Sequence, residues 1–209
     1  MNNLLIADTY AKAGFQCYIP DYLNGDPVPQ DMKTNPEVAK SFSMPSWRER
    51  HTSLQTRPAL DALIQYLKQE KGVKKIYAIG YCFGARYVMD LILEGGDNMI
   101  SKAAFAHPSQ LRVPEDFEKL LNIPTSKRIP LLFLTCENDP QFPKESQAKA
   151  DEMLEKLNNG SENTGRKMYK RVYYEGNDHG FAVRGDVSVE HVRKAKEDAF
   201  KQAVDWFRA

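Results

Sequence analysis

The chain has 209 residues, and its 29 lysines and arginines nearly balance its 28 aspartates and glutamates. This balance argues against nucleic acid or an acidic membrane surface as the main partner, because both attract strongly basic proteins. The three cysteines are scattered and predict no disulfide framework, and no pair of cysteines or histidines has the close spacing of a zinc site. We predict a single domain over residues 1–209, without a cofactor or a metal.

Signals for membrane insertion or secretion are not visible in the sequence. The longest apolar run, Ile129 to Cys136, is far too short to span a bilayer. The N-terminus has no basic region followed by an apolar block, which is the pattern of a secretory signal. We therefore expect a soluble, cytoplasmic protein with no membrane partner.

Helical and extended patterns alternate in the first part of the chain. Asn2 to Gly14 has the apolar spacing of an amphipathic helix that stops at a glycine, and Gln16 to Ile19 is predicted as a short strand. A loop punctuated by proline and glycine follows from Asp21 to Met44, with a helical turn near Pro36 to Phe42. Ser46 to Glu70 is predicted as one helix.

The same alternation continues to the end of the chain. Four further strands are predicted at Ile76 to Ile79, Lys102 to Ala106, Pro130 to Thr135 and Lys167 to Tyr174. Helices are predicted at Tyr87 to Leu93, Pro114 to Leu121, Lys144 to Leu157 and Val187 to Phe207. Strands that alternate with helices indicate an α/β fold with a mostly parallel sheet of about five strands and right-handed crossovers.

A single cysteine lies between two glycines at the turn from the strand Ile76 to Ile79 into the next helix. The run Gly80-Tyr81-Cys82-Phe83-Gly84 has the layout of the Gly-x-Ser-x-Gly nucleophile elbow, with sulfur in place of oxygen. At such an elbow the helix dipole favours the thiolate of Cys82, and the amide of Phe83 is a donor for an oxyanion. The alternative is an ordinary buried cysteine.

A cysteine nucleophile needs a base, and the chain offers four histidines. His179 lies in a glycine-flanked loop after the last predicted strand, where its ring can reach the edge of the sheet. His107 ends the neighbouring strand and is the rival base. His51 and His191 fall on predicted helices, so we expect both at the surface.

The base needs an acid to orient it, and the loop after the strand Pro130 to Thr135 carries two carboxylates. Asp139 is the preferred candidate and Glu137 is the alternative, whereas Asp178 is interpreted as a turn residue. The order Cys82, Asp139, His179 is the nucleophile, acid, base order of α/β-hydrolases.

Three segments resemble the dienelactone hydrolase family: Gly80 to Ala85, the loop from Glu137 to Pro143, and His179 to Ala182. Leu5 to Pro27 is similar to the family's first helix and following strand, so the resemblance covers essentially the whole chain. It implies an α/β-hydrolase fold that cleaves a small-molecule ester or enol-lactone through a thioester intermediate. Cys82 would be the nucleophile, Asp139 the orienting acid and His179 the base.

The resemblance also implies residues that bind the substrate. In the family an arginine shortly after the histidine helps to bind the substrate carboxylate, and Arg184 lies near that position, although the spacing is one residue longer. His107 and Tyr81 are expected to line the same pocket. The family's second arginine has no clear counterpart here, which argues against the carboxylated substrate of the bacterial prototype.

Family members have additional strands before the first helix, and the loop after the third of them supplies a second oxyanion amide. These strands would precede Met1, and the third would lie between Gln16 to Ile19 and Ile76 to Ile79. We therefore expect one of two arrangements: a chain that is a piece of a longer protein, with a vacancy in the sheet beside the strand Ile76 to Ile79, or a sheet whose remaining strands close up differently. The alternative function is a non-catalytic ligand-binding or regulatory member of the family. The sequence does not indicate an oligomeric state.

Overall fold

A computed structural model describes residues 2–29, 32, 35–95, 100–159 and 167–209. Their backbone contacts divide them into two compact units, one of Met1–Cys17 with Lys75–Ala209 and one of Tyr18–Lys74. The larger unit contains a sheet and the smaller unit is helical. The single domain over residues 1–209 stays a prediction.

The secondary structure follows the predicted alternation. The helices are α1 (Asn2–Lys12), α2 (Pro36–Ser41), α3 (Met44–Arg50), α4 (Ser53–Gln69), α5 (Gly84–Glu94), α6 (Glu115–Asn122), α7 (Lys144–Asn159), α8 (Phe181–Arg184) and α9 (Glu190–Arg208). The strands are β1 (Ile76–Tyr81), β2 (Ile100–Ala106), β3 (Leu131–Asn138) and β4 (Tyr169–Asp178). The sequence does not predict α8, because four residues are too few to show helical periodicity.

The strands form one parallel sheet in the order β1-β2-β3-β4. Because all the strand pairs are parallel, every carboxyl end lies at the same edge of the sheet. The helices between the strands supply the crossovers that parallel pairing requires. The chain therefore has the predicted α/β-hydrolase-like architecture, with a parallel sheet flanked by helices.

The strand predicted at Gln16 to Ile19 is wrong. These four residues have no regular secondary structure, and all are exposed. A strand is stabilised by ladder hydrogen bonds and by burial of one face, and this segment has neither within the part of the chain that the structure describes. The described sheet has four strands, and β1 pairs in it only with β2.

The helix predicted from Ser46 to Glu70 is interrupted at His51 and Thr52, which separate α3 from α4. His51 is buried rather than exposed, so its predicted surface position is wrong. Its Nδ1 lies 2.7 Å from the carbonyl oxygen of Trp47, and its Nε2 lies 3.2 Å from that of Leu23. The ring also stacks on Trp47, with centroids 4.2 Å apart. Buried carbonyl partners explain why this histidine turns inward.

Apolar clusters cover both faces of the sheet. Phe105 and Phe133 stack at 4.5 Å and belong to the cluster that packs against α5, α6 and α7. Ala104 and Leu134, their neighbours along the strands, belong to the cluster with α1 and α9. Residues of β3 alternate between the faces and are buried on both, as expected for a central parallel strand. Within the described residues, no helix is both long and apolar enough to cross a membrane.

Candidate active site

Four side chains with catalytic chemistry directly follow the four strands. Cys82 follows β1, His107 follows β2, Asp139 follows β3 and His179 follows β4. In open α/β sheets, binding sites form at the carboxyl ends of the strands. The sheet order alone therefore brings these residues to one edge.

Cys82 lies at the apex of a sharp turn between β1 and α5. Its φ is +48°, in the left-handed region that costs energy for a residue with a side chain. The turn is held by its own backbone: the Cys82 amide donates to the carbonyl of Ala106 at 3.1 Å, and its carbonyl accepts from the amides of Ala85 and Ser109, each at 3.1 Å. These bonds hold the side chain at the edge of the sheet.

His179 connects the cysteine to the acid. Its Nε2 lies 3.0 Å from Sγ of Cys82, and its Nδ1 lies 2.8 Å from Oδ1 of Asp139. The Asp139 side chain is 1% exposed and that of His179 is 13% exposed. The structure thus places the three predicted residues in a continuous chain of contacts.

Asp139 is fixed by its own loop. Its Oδ1 accepts from the backbone amides of Gln141 at 2.9 Å and Phe142 at 3.1 Å. The buried thiol of Cys136 lies 3.8 Å from Oδ2, within reach as a weak donor. With its position set in this way, the carboxylate faces Nδ1 of His179.

The alternative acids have other partners. Glu137 pairs with Lys144 at 2.7 Å and accepts from the amide of Gly176 at 2.9 Å. Asp178 is exposed and accepts from the side-chain amide of Asn138 at 3.0 Å. The structure brings neither carboxylate to His179.

The electrostatics of the pair favour a thiolate beside an imidazolium. Burial raises the pKa of Cys82, but contacts with His179, with Ser109 and with the Phe83 amide together lower it below its ordinary value. Burial lowers the pKa of His179, but Asp139 and Cys82 outweigh this and raise it to about 9. A negative sulfur and a positive ring stabilise each other, which explains both directions.

Ser109 is a site residue that the sequence reasoning misses. It is buried, and its Oγ lies 3.8 Å from Sγ of Cys82. Its amide donates to the Cys82 carbonyl. The sequence signal that could have identified Ser109 is its position shortly after the end of β2, the strand that pairs with β1.

His107 is fully buried beside the base. Its ring meets that of His179 edge-on at 5.1 Å and that of Phe181 at 5.6 Å. Neither ring nitrogen has a hydrogen-bond partner among the described residues. Burial, followed by the charges of His179 and Arg184, lowers the pKa of His107 to about 3. A neutral, enclosed ring packs against the base, and its assignment to the substrate pocket stays a prediction.

The other predicted residues lie around this centre. The backbone amide of Phe83 contacts the Cys82 sulfur. The Tyr81 hydroxyl lies 3.1 Å from that of Tyr10 on α1. Arg184 lies in α8 and is exposed. Their roles toward a substrate stay predictions.

A cavity of about 290 Å³ opens in the larger unit beside these residues. Its lining includes Tyr81, which precedes the cysteine, and Ala182, which follows the histidine loop. Ile6 and Phe200 supply apolar walls, and Arg193, Lys196 and Glu197 supply charged groups, whereas Cys82 and His179 are not part of the lining. Within the described ranges, no group of three or more His, Cys, Asp or Glu side chains could hold a metal ion.

Comparisons with known proteins assign the sequence to a family. The sequence model of the dienelactone hydrolase family matches residues 1–209. Hydrolase pyvD of Aspergillus violaceofuscus is 30% identical over 207 residues, which cover 99% of this chain and 74% of that protein. Dienlactone hydrolase 1 of Gibberella moniliformis is 27% identical over 212 residues, covering 99% of this chain and 72% of that protein.

A similar fold occurs among solved structures. A candidate dienelactone hydrolase from Klebsiella pneumoniae superposes with a TM-score of 0.59 at 14% identity, over 82% of this chain and 69% of that chain. At this identity the similarity shows only that the fold is shared. The assignment to a family rests on the sequence model, which matches the whole chain. The chain therefore belongs to the dienelactone hydrolase family and is a hydrolase.

Proposed function

We propose that this hydrolase cleaves a small ester or lactone with Cys82 as the nucleophile, His179 as the base and Asp139 as the orienting acid. The proposal rests on the position of the His179 ring. Its Nε2 lies 3.0 Å from Sγ of Cys82, and its Nδ1 lies 2.8 Å from the carboxylate of Asp139. Both distances are within the reach that such a relay requires.

The first half of the reaction forms a thioester. The Cys82 thiolate attacks the ester carbonyl carbon, a carbon–sulfur bond forms, and the carbonyl oxygen takes the electron pair as an oxyanion. The Phe83 amide donates to that oxyanion. When the intermediate collapses, the bond to the leaving alcohol breaks, and the His179 imidazolium gives its proton to the departing oxygen. In a lactone, the departing oxygen stays attached to the acyl group.

The second half releases the acid. Neutral His179 takes a proton from a water molecule whose oxygen attacks the thioester carbon. Collapse of this second intermediate breaks the carbon–sulfur bond, and the sulfur leaves as the thiolate. The product is a carboxylic acid, and the thiolate–imidazolium pair is restored. Asp139 accepts from Nδ1 and stabilises the imidazolium in both halves of the reaction.

The names of the relatives support the substrate class. One relative is named a dienlactone hydrolase, and the family name refers to the same chemistry.

The proposal includes the compartment in which the enzyme works. The cysteines at 17, 82 and 136 are all free. A reactive thiolate stays reduced in the cytoplasm, where glutathione and thioredoxin remove disulfides. We therefore place the protein there.

A single set of assays tests the function. Hydrolysis of p-nitrophenyl acetate should be lost in Cys82→Ala and retained in Cys17→Ala. Rapid quenching of the wild-type reaction should give an acetyl group on the Cys82 peptide by mass spectrometry. Equal turnover in wild type and Cys82→Ala would refute Cys82 as the nucleophile and with it the proposal.

A further inference from the structure

The loop that presents Asp139 is closed by one buried side chain. Gln147 lies in the first turns of α7 and is 2% exposed. Its Nε2 donates to the carbonyl of Cys136 at 2.9 Å and to the carbonyl of Phe142 at 2.9 Å. These carbonyls lie on either side of Asp139, so both protons of one amide bracket the loop that carries the carboxylate.

The other end of the same amide is held by β4. Oε1 of Gln147 accepts from the Nη1 of Arg171 at 3.1 Å. Arg171 also donates to Oγ1 of Thr135 at 3.2 Å, and its Nε donates to Asp151 at 2.8 Å. The guanidinium is thus fixed between β3, β4 and α7. Because β4 ends directly before His179, Gln147 joins the acid loop to the strand that carries the base.

We propose that Gln147 is a positioning residue for the triad, clamping the loop from Cys136 to Phe142 so that Asp139 stays on Nδ1 of His179. The inference rests on the proposed function. Catalytic groups must be held within about 0.5 Å of their productive geometry, and a hydrogen-bonded neighbour is what holds them. Gln147 contacts the carbonyls at both ends of the loop, whereas the amides that bind Asp139 belong to Gln141 and Phe142, near one end only.

Two substitutions of Gln147 distinguish the loss of its hydrogen bonds from the loss of its packing volume. Gln147→Glu keeps an acceptor for Arg171 but has no proton to donate to the two carbonyls. Gln147→Met keeps a similar volume and loses both kinds of contact. If the clamp positions Asp139, both variants lower kcat by about 10- to 100-fold, the size expected for a misplacement of up to 1 Å. KM should change little, because Gln147 is remote from the substrate.

The pH profile provides a readout that a purely structural role would not move. Asp139 is one of the causes that raise the pKa of His179. When the carboxylate drifts away, the pKa of His179 falls, so the alkaline limb of kcat/KM moves to lower pH in both variants. The matched control is Leu157→Ala, a core change near the other end of the same helix that lowers the melting temperature and leaves the Gln147 hydrogen bonds in place. Its alkaline limb should stay where the wild type has it.

The outcomes distinguish the two proposals. If wild type and Cys82→Ala turn over the ester equally, the proposed function fails, whatever Gln147 does. If Cys82→Ala is inactive but both Gln147 variants keep the wild-type kcat and alkaline limb, the clamp is refuted and the function stands. A loss of activity that Leu157→Ala reproduces at an equal drop in melting temperature would also refute the clamp.

Discussion

Gly80 and Ala85 approach each other so closely that no side chain fits between them. A Cβ at Gly80 would lie 2.6 Å from the Cα of Ala85 and 2.7 Å from its amide nitrogen. These are backbone atoms, which cannot rotate away as the end of a side chain can. The contact lets α5 begin directly above β1, and so it places Cys82 at the apex.

Gly80→Ala should therefore displace the elbow. We expect a loss of stability toward the upper end of the roughly 1–3 kcal/mol that overpacking costs, and a fall in esterase activity of about 100-fold or more, because Cys82 moves relative to His179. Urea unfolding and p-nitrophenyl acetate hydrolysis measure the two effects.

Gly72→Ala is the control for this change. Gly72 has a φ of +61°, and a Cβ there would meet nothing within 4 Å. The variant should lose about 1–2 kcal/mol from backbone strain and keep its activity. Activity of Gly80→Ala equal to that of Gly72→Ala would show that the close contact does not position Cys82.

Local sequence signals were enough to predict the elbow and the convergence of the three residues. Gly80 and Gly84 around Cys82 are a local pattern, and the positions of Asp139 and His179 after strands follow from the order of a parallel sheet. Such arguments need only the local sequence and the rule that parallel strands end at one edge of the sheet. They can therefore locate a residue that directly follows a strand.

The features that sequence reasoning misses depend on contacts between distant segments. Gln147 follows Cys136 by eleven residues and meets Arg171 only because α7 packs beside β4. His51 turns inward because the fold places the carbonyl oxygens of Trp47 and Leu23 within reach of its ring. Gln16 to Ile19 has the composition of a strand, but a strand forms only where a second strand pairs with it. The composition of a segment does not show whether such a strand is available.

Cys82 should be the first cysteine to react with iodoacetamide near pH 7. The pKa of Cys82 is lowered. Partial desolvation and the charge of Asp8 raise the pKa of Cys17, and burial and the charge of Asp139 raise the pKa of Cys136. The larger thiolate fraction outweighs the lower intrinsic reactivity of a more acidic thiol. Peptide mass spectrometry should show Cys82 first, Cys17 later and Cys136 only after denaturation.

His179→Asn tests the origin of that reactivity. The substitution removes the hydrogen bond and the charge that lower the pKa of Cys82, so burial dominates and the thiol is protonated at neutral pH. The alkylation rate at pH 7 should fall about tenfold or more, since each pKa unit changes the thiolate fraction about tenfold in this range. A rate equal to that of the wild type would mean that His179 does not activate the sulfur.

Asp139→Asn and Glu137→Gln decide between the two acids. Asp139 contacts Nδ1 of His179, so its neutral isostere should lower kcat by about 10²-fold or more and shift the alkaline limb of kcat/KM to lower pH. Glu137 pairs with Lys144, so Glu137→Gln should keep the wild-type kcat. The reverse pattern of activities would assign the acid to Glu137.

Replacement by leucine should cost more stability at one of the two buried histidines than at the other. At pH 7, His51→Leu should cost about 1–3 kcal/mol, because the buried ring loses its hydrogen bond with the Trp47 carbonyl, whereas His107→Leu leaves no described group unpaired and should cost less. The pKa of His107 is about 3 in the folded chain and 6.5 ordinarily, so only the unfolded state gains its proton between pH 7 and pH 5. Wild-type stability should therefore fall with acidity by about 2 kcal/mol more than that of His107→Leu in urea unfolding at these two pH values. Equal falls would show that His107 is solvated or paired in the native protein.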